Sequence, residues 1–180
     1  SFIATQAFPS IKGDILSFLK LSANYAKVGK EAGAYATNTF FNQAGAADGF
    51  GPQIVFPFNN LNGRTLSNLQ ADPNLRPEFT TSKEIGVEVR FLKDRLAIEA
   101  NAYNTLSTDL IFQVPVGPST GFLSQNKNAG SLKQKGFELL VSGTPVKTRN
   151  GSWSLSVNYT KLTPTVEALA EGVPFIQLGG

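Results

Sequence analysis

The sequence predicts an all-β chain, an antiparallel up-and-down segment of a transmembrane β-barrel with about five to six strands and long rim loops, too few strands to close. Three observations carry that prediction. Apolar and polar residues alternate over several stretches, and the connections between those stretches are alternately long and short. Charged residues make up 16% of the 180 positions, against about a quarter in an ordinary globular domain.

Taken in order, Phe2 to Phe8 reads as the end of one strand, with Pro9 and Ile11 to Asp14 as a turn. From Phe18 to Lys27, Leu19, Leu21, Ala23 and Tyr25 fall on one side and Lys20, Ser22, Asn24 and Ala26 on the other. From Glu84 to Phe91, Ile85, Val87, Val89 and Phe91 interleave with Glu84, Gly86, Glu88 and Arg90. The return from Leu96 to Tyr103 sets Leu96, Ile98, Ala100 and Ala102 against Ala97, Glu99, Asn101 and Tyr103. A two-residue turn at Lys93-Asp94 makes the registers agree, with Phe91 opposite Leu96, Val89 opposite Ile98, Val87 opposite Ala100 and Ile85 opposite Ala102. The same register opposes Glu88 to Glu99, a like-charge pair for which Arg90 is the candidate partner. Lys-Asp is a poor type I′ pair, which leaves a longer loop open.

Asp109 to Val116 is a shorter strand candidate. Lys135 to Thr144 places Phe137, Leu139 and Val141 against Gly136, Glu138 and Ser142, with Leu140 breaking the pattern. Trp153 to Thr160 alternates without error, Trp153, Leu155, Val157 and Tyr159 against Ser154, Ser156, Asn158 and Thr160. Alternation alone also describes a soluble β-sandwich with one wet face, so the connections decide. A long segment from Val28 to Phe79, a short turn near Lys93, a long segment from Thr105 to Gln134 and a short turn from Pro145 to Ser152 follow one another. In an up-and-down sheet successive connections emerge at opposite rims, so the long ones share one rim, as in outer-membrane barrels.

Composition removes several function classes. With 16 Lys and Arg against 13 Asp and Glu and no basic cluster, the chain is not read as binding nucleic acid. There is no Cys and no His, hence no thiolate site, no thiol nucleophile and neither the commonest general base nor the commonest metal ligand. No paired acid and base stands out among the carboxylates, and Gly29, Gly33, Gly49 and Gly51 lack the spacing of a phosphate loop. No catalytic, cofactor or metal residue is nominated, and the chain is not expected to be an enzyme. No signal pattern opens at Ser1 and no apolar run is long enough for a membrane helix, so the chain reads either as cytosolic or as a piece of a larger protein.

Several segments, in order, resemble the SusC/RagA group of TonB-dependent outer-membrane transporters. They are LKLSANYAKVGKEAGAY from Leu19, LRPEFTTSKEIGVEVRFLKDRLAIEANAYN from Leu75, LIFQVPV from Leu110, Thr120-Gly121-Phe122, NAGSLKQKGFELLVSGTPVKT from Asn128 and WSLSVNYTK from Trp153. Asn128-Ala129-Gly130 and Lys135-Gly136-Phe137-Glu138 are the recognisable marks. The family's export signal, plug domain, TonB-contacting segment and final aromatic strand are not seen, so residues 1–180 are expected to be part of a barrel that has about 22 strands in the largest transporters of this kind.

The resemblance implies a bacterial outer-membrane importer of oligosaccharides or peptides, working with a SusD-like surface lipoprotein and with TonB through the plug region. It implies that Leu19, Leu21, Ile85, Val87, Val89, Phe91, Leu96, Ile98, Leu155 and Val157 face lipid, and that Glu84, Glu88, Arg90, Glu99 and Asn101 face the lumen. Tyr25, Phe91, Tyr103, Trp153 and Tyr159 lie near strand ends, where amphipathic rings favour the membrane interface, Tyr103 being on the polar face. Ligand contact is expected from the long rim segment, whose Tyr35, Phe40, Phe41, Phe50, Phe56 and Phe58 stand among Asn, Gly and Gln; packing of these rings within the loop is the alternative. The rival function is a soluble β-sandwich carbohydrate-binding module using the same rings.

Overall fold

The structure, a computed structural model, describes residues 1–47 and 49–169. Its strands are β1 (Phe2–Ile3), β2 (Leu16–Lys30), β3 (Phe41–Gln43), β4 (Gly45–Ala46), β5 (Ile54–Val55), β6 (Arg64–Leu66), β7 (Leu69–Gln70), β8 (Glu78–Phe91), β9 (Leu96–Pro115), β10 (Ser124–Lys147) and β11 (Ser152–Leu169). One short helix, Ala4–Ala7, and two 3-10 turns complete the described elements. The chain divides into two compact units, the first of Ser1–Gly29, Phe79–Thr108 and Ser131–Glu167, the second of Lys30–Glu78 and Asp109–Gly130 with Ala168 and Leu169.

The first unit is one sheet in the order β1-β2-β8-β9-β10-β11, unclosed among the described residues. From β8 onward each strand follows its neighbour in the chain, the up-and-down order that alternation and short turns require. The β8–β9 pairing is antiparallel with Phe91↔Leu96, Val89↔Ile98, Val87↔Ala100 and Ile85↔Ala102, the register set by the one-sided apolar rows. Leu92, Lys93 and Asp94 all take positive φ, 55°, 57° and 64°. Positive φ at both central residues is the type I′ requirement, and neighbours hold the unusual pair there. The Leu92 amide donates to the Ile15 carbonyl at 2.8 Å, the Asp94 amide to Ser17 Oγ at 3.3 Å and the Lys93 ammonium meets Asp14 at 3.1 Å.

The structure bears on three sequence expectations. Phe2 to Phe8 does hold a strand end, the two-residue β1, paired to β2 through Phe2↔Leu21 and Ile3↔Lys20, before the chain turns into the helix Ala4–Ala7. Asp109 to Val116 is no separate strand but the continuation of β9, and the predicted loop from Thr105 to Gln134 contracts to the residues between Pro115 and Ser124. The reason is that a ladder needs backbone groups, not apolar side chains. In this stretch Thr80 pairs with Ser107 at 3.0 Å and Ser82 with Thr105 at 3.2 Å across the strands, and Asp109 at φ 56° interrupts the alternation without ending the strand. The long segment from Val28, finally, begins as the end of β2, which runs to Lys30, and carries the short strands β3 to β7.

The second unit is made of small pairings. β3 pairs antiparallel with β6, β4 with β5, and β7 runs parallel to the start of β10 through Leu69↔Ser124 and Gln70↔Gln125. Its core is slight, Val114 and Ala129 with Phe112 packed against them.

Candidate functional site

The two faces of the first unit differ in chemistry because a strand sends successive side chains to opposite sides. Lys20 meets Glu88 at 3.7 Å, and Ser22 and Asn101 both close on Gly86. Glu84, Glu88, Arg90, Glu99 and Asn101, the residues predicted for a lumen, therefore share one face with Lys20 and Ser22. Glu88 does stand opposite Glu99. The repulsion is offset on Glu88, which accepts from Arg90 Nη2 at 2.6 Å and Nε at 3.0 Å and lies near the Lys20 ammonium. The Arg90 guanidinium in turn covers the Phe18 ring at 4.9 Å.

Two glycines of this face are seats for their neighbours' side chains. A Cβ on Gly86 would come within 2.6 Å of Ser22 Oγ and collide with the Asn101 amide. A Cβ on Gly136 would fall inside the Tyr103 ring, which lies over it from β9. Tyr103 is thus committed to the polar face and to a strand–strand contact, while Tyr25, Trp153 and Tyr159 stand exposed.

The opposite face carries Leu19 and Leu21 of β2, Ile85, Val87, Val89 and Phe91 of β8, Leu96 and Ile98 of β9, Phe137 of β10, and Leu155 and Val157 of β11. The Thr144–Ser154 hydroxyl bond of 2.9 Å fixes the parity of β11 against β10. Ile85 is 65% exposed and Leu155 56%, while Leu19, Val87, Val89, Phe91, Leu96 and Ile98 are half-buried, so the row is open in part, an arrangement that water disfavours.

In the second unit, side chains take over the role of a core. Asn128 accepts from the Arg76 amide at 2.8 Å and donates to the Arg76 and Asp109 carbonyls at 2.8 and 2.7 Å, while the Arg76 guanidinium meets Asp109 at 2.5 Å. Glu78 accepts from the Ile111 amide at 2.9 Å and pairs with Lys30 at 3.1 Å. Ala129 is wholly buried, and a Cβ on Gly130 would lie 3.3 Å from the Ala168 carbonyl. Sequence reading assigned these residues no role, although Pro77-Glu78 and Asn128-Ala129-Gly130 were among its marks. The signal was there in two short polar motifs flanking strand starts.

Tyr35, Phe40, Phe41, Phe50 and Phe58 are all exposed, whereas Phe56 packs over Gly63 and its carbonyl receives the Gln43 amide. A cleft of about 240 Å³ lies there, lined by Gln43, Phe56, Pro57, Asn62, Gly63 and Arg64. No cluster of carboxylates able to hold a metal ion occurs among the described residues, and no described helix is long and apolar enough to cross a membrane, which says nothing of strands.

This one-sided antiparallel sheet is the wall of a β-barrel receptor, and the chain belongs to the family described as TonB-dependent receptor-like, β-barrel, which matches residues 10–176. Within it the chain is SusC/RagA-like. It is 32% identical over 165 residues to TonB-dependent receptor P26 of Formosa agariphila, covering 89% of this chain and 15% of that protein. It is 30% identical over 106 residues to TonB-dependent receptor SusC of Bacteroides thetaiotaomicron, covering 58% of this chain and 11% of that one. Among solved structures, the RagAB peptide transporter superposes with TM-score 0.77 at 23% identity, covering 95% of this chain and 18% of the other. The same importer in its "closed-closed" state gives 0.78 with 98% and 18% covered. The chain therefore spans about a sixth of the length of such relatives, and the family is one of receptors and transporters, not of enzymes.

Proposed function

We propose that this segment forms part of the barrel wall of an outer-membrane, TonB-dependent importer, with its apolar row against lipid and its Glu84, Glu88, Arg90, Glu99 and Asn101 row toward the lumen. The carrying observation is the separation of charge and apolar side chains onto opposite faces of one antiparallel sheet. Lipid tails are the medium in which such an open apolar row is at rest, and a Lys or Arg there at mid-depth would cost roughly 2 to 4 kcal/mol. A β-sandwich needs a second sheet packed over that row, and the first unit holds a single sheet whose apolar row is open in part.

The cargo on this reading is an oligosaccharide or a peptide, delivered with a SusD-like lipoprotein at the surface and drawn in by TonB acting on a plug. The peptide class has the support of the RagAB transporters' fold. The exposed Tyr35, Phe40, Phe41, Phe50 and Phe58, with Phe56 beside the small cleft, are the rim groups able to stack on a sugar face or a peptide plane.

The wall assignment is tested in the full-length receptor in outer membranes. Single cysteines at Ile85 and Leu155 are expected to resist a membrane-impermeant maleimide, and cysteines at Glu84 and Asn101 to react once the plug is displaced. Equal reactivity of the two rows would overturn the assignment. Transport is tested by uptake of labelled oligopeptides and oligosaccharides with and without TonB; uptake indifferent to TonB would overturn the importer reading.

A further inference from the structure

Lysines stand at one end of the apolar rows, with Phe79 and Leu106 on the same side beyond them. On β2, Tyr25 is followed two residues on by Lys27; on β10, Phe137 is preceded by Lys135; on β11, Tyr159 is followed by Lys161; on β8, Lys83 lies just past Ile85. Each pair shares one side of its strand, and in each the lysine stands on the side away from the short turns at Leu92–Arg95 and Thr148–Gly151. An aromatic ring and then a cation, about 6.6 Å apart along a strand, match the passage from hydrocarbon to headgroup.

Two of these lysines act on one spot. Lys83 pairs with Asn104 in the β8–β9 register, and the Tyr103–Gly136 contact brings Lys135 to the other flank of Asn104. Two strand spacings of about 4.8 Å separate the two backbones, so both ammonium groups can reach one anion. Lys83, Lys135 and Lys161 are exposed and make no ion pair within 4 Å among the described residues, while Glu167 on the same face is held by Lys133 at 2.7 Å and also feels the charge of Lys135. Directly below lies an open groove of about 370 Å³, floored by Ala100 and Ala102 and walled by Leu21, Ile85, Val87 and Phe137. Alanines there make a notch in an otherwise bulky row.

We propose that this notch and the Lys83–Lys135 pair form a binding site for a phosphorylated glycolipid of the outer leaflet, one acyl chain lying over Ala100 and Ala102 and a sugar phosphate bridging the two ammonium groups. The site rests on the lipid-facing reading of the apolar row and adds a headgroup chemistry to it. Charge complementarity selects the occupant: two unpaired cations beside an apolar groove favour a phosphomonoester over a zwitterionic headgroup.

Native mass spectrometry of the full-length receptor, offered bisphosphorylated lipid A, dephosphorylated lipid A or phosphatidylethanolamine, reads the preference. The wild type is expected to retain the bisphosphorylated form roughly tenfold better than the other two, with inorganic phosphate failing to compete. The double variant Lys83→Gln, Lys135→Gln should lose the preference, whereas Ala102→Phe should weaken both forms of lipid A alike. A nitroxide at Ile85 separates the two levels of the reading. A lipid-exposed spectrum without phosphate preference, with the preference intact in the double variant, or with displacement by free phosphate, overturns the glycolipid site alone. A water-exposed spectrum overturns the wall assignment and the site with it.

Discussion

The two units of this chain solve the same problem, how to hold β-structure without a buried core, by different means. The first relies on long ladders: thirteen consecutive residues of β8 pair with β9, and side-chain chemistry only sorts the two faces. The second, besides the ends of β9 and β10, has strands of two or three residues and is held by side chains that grip backbone, Asn128 on Arg76 and Asp109, and Glu78 on Ile111. Long pairings distribute their stability over many weak equal bonds. A clasp concentrates it in one residue, so the first unit should tolerate most polar-face changes and the second should fail locally when a clasp is cut.

The sharpest break is expected from Val87→Arg, a charge placed midway along the apolar row. If lipid covers that row, the full-length receptor should lose roughly 2 to 4 kcal/mol in urea titrations of the reconstituted protein, and a neutral outcome would remove the basis of the comparison. Next is Gly136→Val, which drives a side chain into the Tyr103 ring and should cost about 1 to 3 kcal/mol; Tyr103→Ala in the same background should recover part of it, and no recovery would show that the ring contact is not the cause. Asn128→Ala cuts three bonds to backbone, worth about 1 to 3 kcal/mol locally. Hydrogen exchange should quicken at Arg76 and Ile111 while the β8–β9 hairpin keeps its protection, and a uniform quickening would mean that the clasp serves the whole chain. The smallest effect belongs to Glu88→Gln. It relieves the opposition to Glu99 while weakening the contacts to Arg90 and Lys20, so the urea midpoint should move by less than about 1 kcal/mol, and a large loss would show that the polar face carries more than solubility.

The hairpin was legible down to its register because a one-residue slip would have turned every apolar side chain of Ile85 to Phe91 to the wrong face. Its turn was not. Lys93-Asp94 lacks the usual Asn-Gly chemistry, and the bonds that hold it come from Ile15 and Ser17, far away in sequence. The reach of β9 past Thr105 was hidden for a related reason: its polar pairs and the positive φ of Asp109 erase the alternation on which the reading depends. The exposed rim rings were visible as a composition, but aromatics in a loop do not declare whether they pack together or stand open, and the packing of Phe56 over Gly63 was not readable from the chain.

By itself, then, the sequence determined the two-faced strands, their register and the family, because these follow from a period of two imposed on neighbouring residues and from motifs written in consecutive positions. Tertiary structure alone decided why Gly86, Gly136 and Asn128 stand where they do, that Lys20 joins Arg90 beside Glu88, and that Lys83 and Lys135 meet across Asn104. Those facts depend on which strand lies beside which, and contact between residues far apart in sequence, such as Ser22 with Gly86 or Arg76 with Asn128, leaves no periodic trace in a single chain.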